Sequence, residues 1–151
     1  MAINFDASHV FLDIQAATRD EALAFAADKA VELGASNDAA ALLEGLKARE
    51  AEGTTGMMSG FAIPHCKSAS VSEPCVVVMR FKSGIDWETM DKSEVKAAIA
   101  LFIPDGEVGT ENLSILSKIA VMLMHEDFCH AILSASDPDE AAKAVSDGLA
   151  K

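Results

Sequence analysis

The chain has no hydrophobic run long enough to cross a membrane. Half of its 151 residues are hydrophobic, yet no apolar stretch approaches the roughly 18 residues that a membrane span needs. The first residues, MAINFDASHVFLD, lack the basic region and the long apolar stretch of a secretory signal. We therefore expect a soluble protein without direct membrane insertion.

Cysteine and basic residues are also scarce. The three cysteines are an odd number at unrelated spacings, which argues against a disulfide framework and favours a reducing, cytoplasmic compartment. The 12 Lys and Arg residues face 24 Asp and Glu residues, for a net charge of −12. Because this charge repels phosphate backbones, nucleic acid is excluded as a partner. Any anionic group must instead be held by a few placed donors.

The pattern along the chain alternates between strand and helix signals, as in α/β proteins. HVFLDI is a candidate strand. A helix follows it, with Thr18 and Glu21 at capping-box spacing and Gly34 at its end. A second helix is predicted over about 38–50, with Asn37 or Asp38 as its N-cap, and Arg49 continues its buried stripe. This arginine should therefore lean toward the edge of the protein.

The second half of the chain completes a sheet with helices on both faces. CVVVMRF and VKAAIALFI are β-branched and apolar, as inner strands are. PDGEVGTENL is predicted to be a loop, and three helices over about 113–126, 128–134 and 138–149 follow it. The first of these is expected to turn Leu113, Leu116, Ala120 and Leu123 inward. We expect one domain, residues 1–151, with a mixed β-sheet flanked by helices.

Of the four histidines, only His65 has a distinctive context. It follows a short apolar strand and a proline in GFAIPHCK, and the strand is predicted to end on it. His9 and His125 are predicted to lie on the surface, and His130 is expected to have no catalytic role. A loop rich in Gly and Thr, EGTTGMMSG, precedes the strand.

Four roles for His65 compete at this point. The four roles are a metal ligand together with Cys66 and Cys75, half of a Cys-His dyad, a core histidine bonded to a backbone carbonyl, and a nucleophile for a transferable group. Adjacent residues of an extended chain point to opposite faces, which disfavours the dyad, and no recognised zinc spacing is present. Neutral imidazole attacks phosphorus without first losing a proton. Arg49 would supply fixed charge and Thr55 a hydroxyl.

The segment REAEGTTGMMSGFAIPHCK resembles the signature of the enzyme IIA domain of the sugar phosphotransferase system, in the fructose and mannitol class (type 2). The resemblance continues through VSEPCVVVMRFKSGIDWETMD and FIPDGEVGTENLSILSKIAVMLMHEDF, and so covers nearly the whole chain. It implies a mixed β-sheet flanked by helices. It also implies that His65 accepts a phosphoryl group from the carrier HPr and passes it to the cysteine of an enzyme IIB component.

The same resemblance assigns roles to further residues. Arg49 matches the phosphate-binding arginine, and Thr55 lies in the loop that borders the site. No metal or organic cofactor is implied, and the protein would reach the membrane only through its IIB and IIC partners. Apolar residues near the histidine, Met57, Met58 and Phe61, are candidates for a docking patch, although methionines more often serve packing.

One position departs from the family. Many members carry a second histidine directly before the leucine that matches Leu113, and this chain has Asn112 there. Asn112 either caps the helix or donates its amide to the phosphoryl group or to His65. We expect transfer to survive with a pH profile governed by one imidazole. The departure also leaves open a regulatory, nitrogen-type IIA protein whose phosphorylation state controls binding to other proteins.

Overall fold

A mixed five-stranded sheet forms the centre of the fold. The computed structural model describes residues 5–105 and 109–150, without the side chains of residues 109–113. Within these residues the strands are β1 (Val10–Ile14), β2 (Phe61–Ala62), β3 (His65–Ser68), β4 (Cys75–Ile85) and β5 (Val95–Pro104). The helices are α1 (Arg19–Glu32), α2 (Ala39–Glu52), α3 (Gly109–Met122), α4 (Glu126–Ser134) and α5 (Pro138–Ala150), and a 3-10 turn spans Ala7–His9.

Strands β4 and β5 lie at the centre of the sheet. They pair antiparallel, β1 pairs with the other edge of β4, and both β2 and β3 run parallel to β5 along its free edge. Side chains alternate between the two faces of these strands. Val77 and Phe102 pack with α1 and α2, whereas Val76 and Leu101 pack with α3, α4 and α5. The predicted inner strands, and the mixed sheet with helices on both faces, are confirmed.

The first two helices begin where the sequence indicates. The Thr18 hydroxyl accepts the Glu21 N–H at 3.1 Å, and the Asp38 carboxylate accepts the Ala41 N–H at 3.1 Å, so each satisfies a free donor of a first turn. Gly34 follows α1 with φ of 86°, a conformation that favours glycine. Helix α2 continues to Glu52, two residues beyond the expected end.

The helix boundaries near the C-terminal half differ from the prediction. Helix α3 begins at Gly109, inside the expected loop. The sequence does not predict this start because the first turn of the helix carries no apolar periodicity. Helix α3 ends at Met122 instead of residue 126, because tightened bonds from Met124 N–H to Val121 O and from His125 N–H to Met122 O close its last turn. Helix α4 therefore begins at Glu126, two residues early.

The buried stripe of α3 was also predicted one residue out of register. The expected inward positions were Leu113, Leu116, Ala120 and Leu123. The side chain of Leu113 lies outside the described residues, Leu116 and Ala120 are half-buried, and Leu123 is buried. Among the side chains of α3 that are described, residues 114–122, Ile119 is the most enclosed, and Ile115 and Met122 lie on the same face. Among the residues that the structure describes, no helix combines the length and hydropathy needed to cross a membrane.

Two predictions about histidines are wrong. The strand before His65 does not end on it: β2 stops at Ala62, and His65 begins β3. The interruption follows from Pro64, which has no N–H to donate, and from Ile63, whose N–H donates to the Thr55 carbonyl at 3.0 Å. His9 is buried. Its Nδ1 lies 2.9 Å from the Val76 carbonyl oxygen, so this ring nitrogen has a hydrogen-bond partner inside the protein. His125 is exposed, as expected.

The loop between α2 and β2 depends on a glycine at position 56. A Cβ there would lie 2.0 Å from the carbonyl oxygen of Glu88, so Gly56→Ala forces two backbone segments apart. We expect it to lower the free energy of unfolding by about 1–3 kcal/mol, measured by urea denaturation. Lys47→Ala, on the exposed face of α2, is the control and should change little. Equal midpoints for the two variants would contradict the close packing of this loop.

Candidate functional site

His65 lies at the start of an edge strand, with both ring nitrogens engaged. Its Nδ1 is 2.8 Å from the carbonyl oxygen of Ile63. Arg49, in the last turn of α2, donates from Nε to His65 Nε2 at 3.2 Å. The ring is half-buried at the edge of the sheet. Two residues that the sequence analysis singled out are therefore in direct contact.

These two contacts fix the tautomer of the imidazole. An arginine side chain can only donate hydrogen bonds, so Nε2 must accept and carries a lone pair. The ring proton is then on Nδ1, where it donates to the Ile63 carbonyl. The nitrogen that faces Arg49 is thus the nucleophilic one.

The surroundings of His65 favour its neutral form. Burial lowers the pKa of His65 below its ordinary value of 6.5, and the positive charge of Arg49 lowers it further. The hydrogen bond to Ile63 and the carboxylates of Glu50 and Glu52 act in the opposite direction. Since the net pKa is below 6.5, the ring is mostly an uncharged base near pH 7.

Arg49 is held in place at its other end. Its Nη1 donates to the Gly53 carbonyl at 2.7 Å, at the residue that ends α2. The side chain is half-buried, as its place on the helical stripe predicts. The guanidinium therefore bridges the end of α2 and the reactive face of the imidazole.

Sequence analysis missed a buried carboxylate beside this pair. Glu50 is only 6% exposed. Its Oε1 accepts the Thr55 N–H at 3.1 Å and the Trp87 indole N–H at 3.4 Å, and its Oε2 accepts the Thr55 hydroxyl. A signal was present: Glu50 lies four residues after Leu46, on the stripe that α2 buries.

Thr55 contacts this carboxylate and is buried with it. Because its hydroxyl hydrogen is directed to Glu50, the geometry gives Thr55 a loop-anchoring contact. Direct donation from Thr55 to a phosphoryl group stays a prediction. The neighbouring Thr54 hydroxyl donates to the Glu88 carbonyl at 2.6 Å and accepts the Gly56 N–H at 3.0 Å, which closes the loop around the site.

The cysteines are turned away from His65. Cys66 packs under α2, with Sγ 3.8 Å from the Leu42 carbonyl oxygen, on the opposite face of β3. Burial raises the pKa of both Cys66 and Cys75 to about 12, so neither thiol is ionised at neutral pH. No cluster of three or more metal-ligating side chains occurs in the described ranges 5–105 and 109–150. The geometry thus disfavours the dyad and metal roles for His65.

Two further predictions concern the surroundings of the site. Asn112 lies inside α3, which begins three residues before it, so it does not occupy the N-cap of this helix. Its side chain lies outside the described residues, and its contact with the phosphoryl group stays a prediction. Of the candidate docking residues, Phe61 is fully buried in the core, Met57 is half-buried, and Met58 is 45% exposed. Phe61 was therefore wrongly assigned to a docking patch.

The arrangement resembles known proteins in sequence and in fold. The chain is 37% identical over 142 residues to the PTS system fructose-specific EIIA component of Haloferax volcanii, covering 94% of this chain and 89% of that protein. It also matches three EIIABC components, and it spans only 13–21% of their length.

Solved structures of enzyme IIA proteins share the fold of this chain. The nitrogen regulatory protein IIA-Ntr from Neisseria meningitidis superposes with a TM-score of 0.85 at 27% identity, covering 92% of this chain and 94% of that one. Enzyme IIAMTL from Escherichia coli, in its complex with phosphorylated enzyme IIBMTL, has the same fold, with a TM-score of 0.79 at 18% identity over 95% of this chain and 98% of that one. The family model of the phosphoenolpyruvate-dependent sugar phosphotransferase system, EIIA 2, matches residues 4–148. The chain belongs to this family.

Proposed function

We propose that the protein is a phosphocarrier of the sugar phosphotransferase system. His65 accepts a phosphoryl group from the phosphohistidine of HPr and passes it to the cysteine of an enzyme IIB component, during uptake of a sugar of the fructose and mannitol class. The observation that carries the proposal is the Arg49–His65 contact, with Nδ1 held by the Ile63 carbonyl. It presents a neutral nucleophile beside a fixed positive charge.

The transfer step follows from the tautomer. The Nε2 lone pair of His65 forms a bond to phosphorus while the bond from phosphorus to the donor nitrogen breaks, and that electron pair returns to the donor imidazole. The proton on Nδ1 stays in place and donates to Ile63 O throughout. In the second step the IIB thiolate attacks phosphorus, and the N–P electron pair returns to Nε2. No proton needs to leave His65 in either direction.

Arg49 has two successive partners in this scheme. In the resting site its Nε–H occupies the Nε2 lone pair at 3.2 Å, so the guanidinium must shift when phosphorus approaches. Its planar set of N–H groups then suits the phosphoryl oxygens. Proteins catalyse phosphoryl transfer mainly through such positioning and charge stabilisation.

Several finer parts of the proposal rest on the relatives. The solved complex of enzyme IIAMTL with phosphorylated enzyme IIBMTL supports a IIB component as acceptor. Thr55 is a proposed phosphoryl-binding residue through the family resemblance. Asn112 is proposed because its side-chain amide can donate a hydrogen bond where many members carry a second histidine. A cytoplasmic location and a single domain over residues 1–151 belong to the same proposal.

A regulatory role is the second candidate. It is favoured by the TM-score of 0.85 to the nitrogen regulatory protein IIA-Ntr. The two functions differ in where the phosphoryl group goes. A transport component passes it to the cysteine of a fructose-class IIB protein, whereas a regulatory component binds another protein in only one of its two phosphorylation states. Adjacent genes for IIB and IIC components would favour transport.

The carrier role predicts one phosphorylation site. Incubation with phosphoenolpyruvate, enzyme I and HPr should add one acid-labile phosphate by mass, and His65→Ala should abolish it because no other nucleophile replaces Nε2. His125→Ala, at an exposed histidine, is the control and should be modified like the wild type. A wild type that stays unmodified would return His65 to a structural role.

Charge alone should not replace the arginine. Arg49→Lys keeps the positive charge but loses the planar donor set and the Nε–H that reaches His65. We expect phosphoryl acceptance from HPr to slow about 100-fold, measured by rapid quench. Arg19→Lys on the surface serves as the matched control. Equal rates for Arg49→Lys and the wild type would remove the guanidinium from the proposed step.

The lowered pKa of His65 sets the pH dependence. Because the pKa of His65 is lower in the folded protein than in the unfolded chain, folding favours the neutral ring. The stability that this difference contributes is fully present above the unfolded-state pKa and is lost as pH falls through the folded-state pKa. The nucleophile follows the same course, and acceptance should decline only below about pH 6.5, with a one-proton slope. The test is the rate against pH together with NMR titration of His65. A two-proton dependence arising in this site would contradict it.

A further inference from the structure

Glu50 is a buried charge without an assigned role. It is 6% exposed, and a buried carboxylate is unfavourable unless donors surround it. Here three donors do so: the N–H and the hydroxyl of Thr55 and the indole N–H of Trp87. A neutral or apolar side chain on the buried stripe of α2 would avoid the desolvation altogether. The retained charge therefore calls for a function.

The contacts of Glu50 lead to both sides of the reactive imidazole. On one side, the preceding residue is Arg49, whose Nε–H reaches His65 Nε2. On the other side, Glu50 holds Thr55, the Thr55 carbonyl accepts the Ile63 N–H at 3.0 Å, and the Ile63 carbonyl accepts the Nδ1 proton of His65. One carboxylate thus anchors the two segments that orient the ring.

We propose that Glu50 is a positioning residue for phosphoryl transfer at His65. Its carboxylate fixes the Thr55 loop, and through that loop the Ile63 carbonyl, while its negative charge stabilises the ring in the state that carries the phosphoryl group. The inference rests on the proposed function, because it concerns the same step.

The electrostatic part follows from the atoms of that step. When Nε2 binds phosphorus and Nδ1 keeps its proton, the imidazole ring becomes cationic. A cationic ring leaves as neutral imidazole when the thiolate attacks, so keeping the Nδ1 proton keeps the phosphoryl group transferable. Within the described residues, the charged groups that act on His65 are Arg49, Glu50 and Glu52. Of the two carboxylates, Glu50 is the buried one, so water screens its charge less than that of Glu52.

The test separates charge from shape. Glu50→Gln keeps the size of the side chain and its Oε1 acceptor but removes the charge. We expect the NMR titration midpoint of unphosphorylated His65 to move to lower pH, and transfer from phosphorylated His65 to the IIB thiol to slow about tenfold. Glu44→Gln, the same change at an exposed position of α2, should alter neither.

A second variant keeps the test decisive if Glu50→Gln does not fold. Thr55→Val keeps the shape and the N–H but removes the hydroxyl that donates to Glu50. The carboxylate then loses a donor that favours its charged form, and the loop that holds the Ile63 carbonyl loses an anchor. Both contacts raise the pKa of His65, so the His65 midpoint should move to lower pH, in the same direction as in Glu50→Gln.

Each outcome has a definite meaning. A folded Glu50→Gln variant with an unchanged or raised midpoint overturns the proposal, as does an unchanged or raised midpoint in Thr55→Val. The titration uses unphosphorylated protein, so it reads the coupling even if His65 is never phosphorylated. Failure of the carrier function is seen separately, as absence of phosphate on the wild type.

Discussion

The site depends on one hydrogen bond, from His65 Nδ1 to the carbonyl oxygen of Ile63 at 2.8 Å. It places the ring proton on the nitrogen that faces the backbone and leaves Nε2 as the base. The bond exists because the edge strand is interrupted: Ile63 lies between β2 and β3, outside the ladder with β5. Pro64 allows this break without leaving a donor unpaired. The irregularity of the strand is thus what selects the nucleophile.

Charge around His65 is balanced between opposing groups. Arg49 favours the neutral ring, while Glu50 and Glu52 favour the protonated ring. The proposed relay requires such a balance, because donors that bind one phosphorylated state too tightly stabilise an intermediate that must be given up. In the proposed carrier, a single guanidinium opposed by a buried carboxylate would leave the phosphoryl group transferable to the next acceptor.

The sequence predicts the sheet and most of the site for identifiable physical reasons. Long β-branched runs marked β4 and β5, and caps at Thr18 and Asp38 marked the helices, because these signals are local. Arg49 and His65 were paired by the family resemblance, and their contact agrees with it. Burial of His9 and the strand break at Ile63 depend on contacts with distant residues, which no local pattern records.

Glu50 shows a different limit of sequence reasoning. A glutamate on a buried stripe was visible at helical spacing after Leu42 and Leu46, yet its meaning depends on donors that arrive from Thr55 and from Trp87, 37 residues away. From its residue type alone, a glutamate is expected to lie on the surface. Only the fold shows that the carboxylate is enclosed and that its partner Thr55 accepts the N–H of Ile63, whose carbonyl bonds to the ring. Glu50 is therefore linked to the imidazole through Thr55 and Ile63, a chain of contacts that no local sequence pattern records.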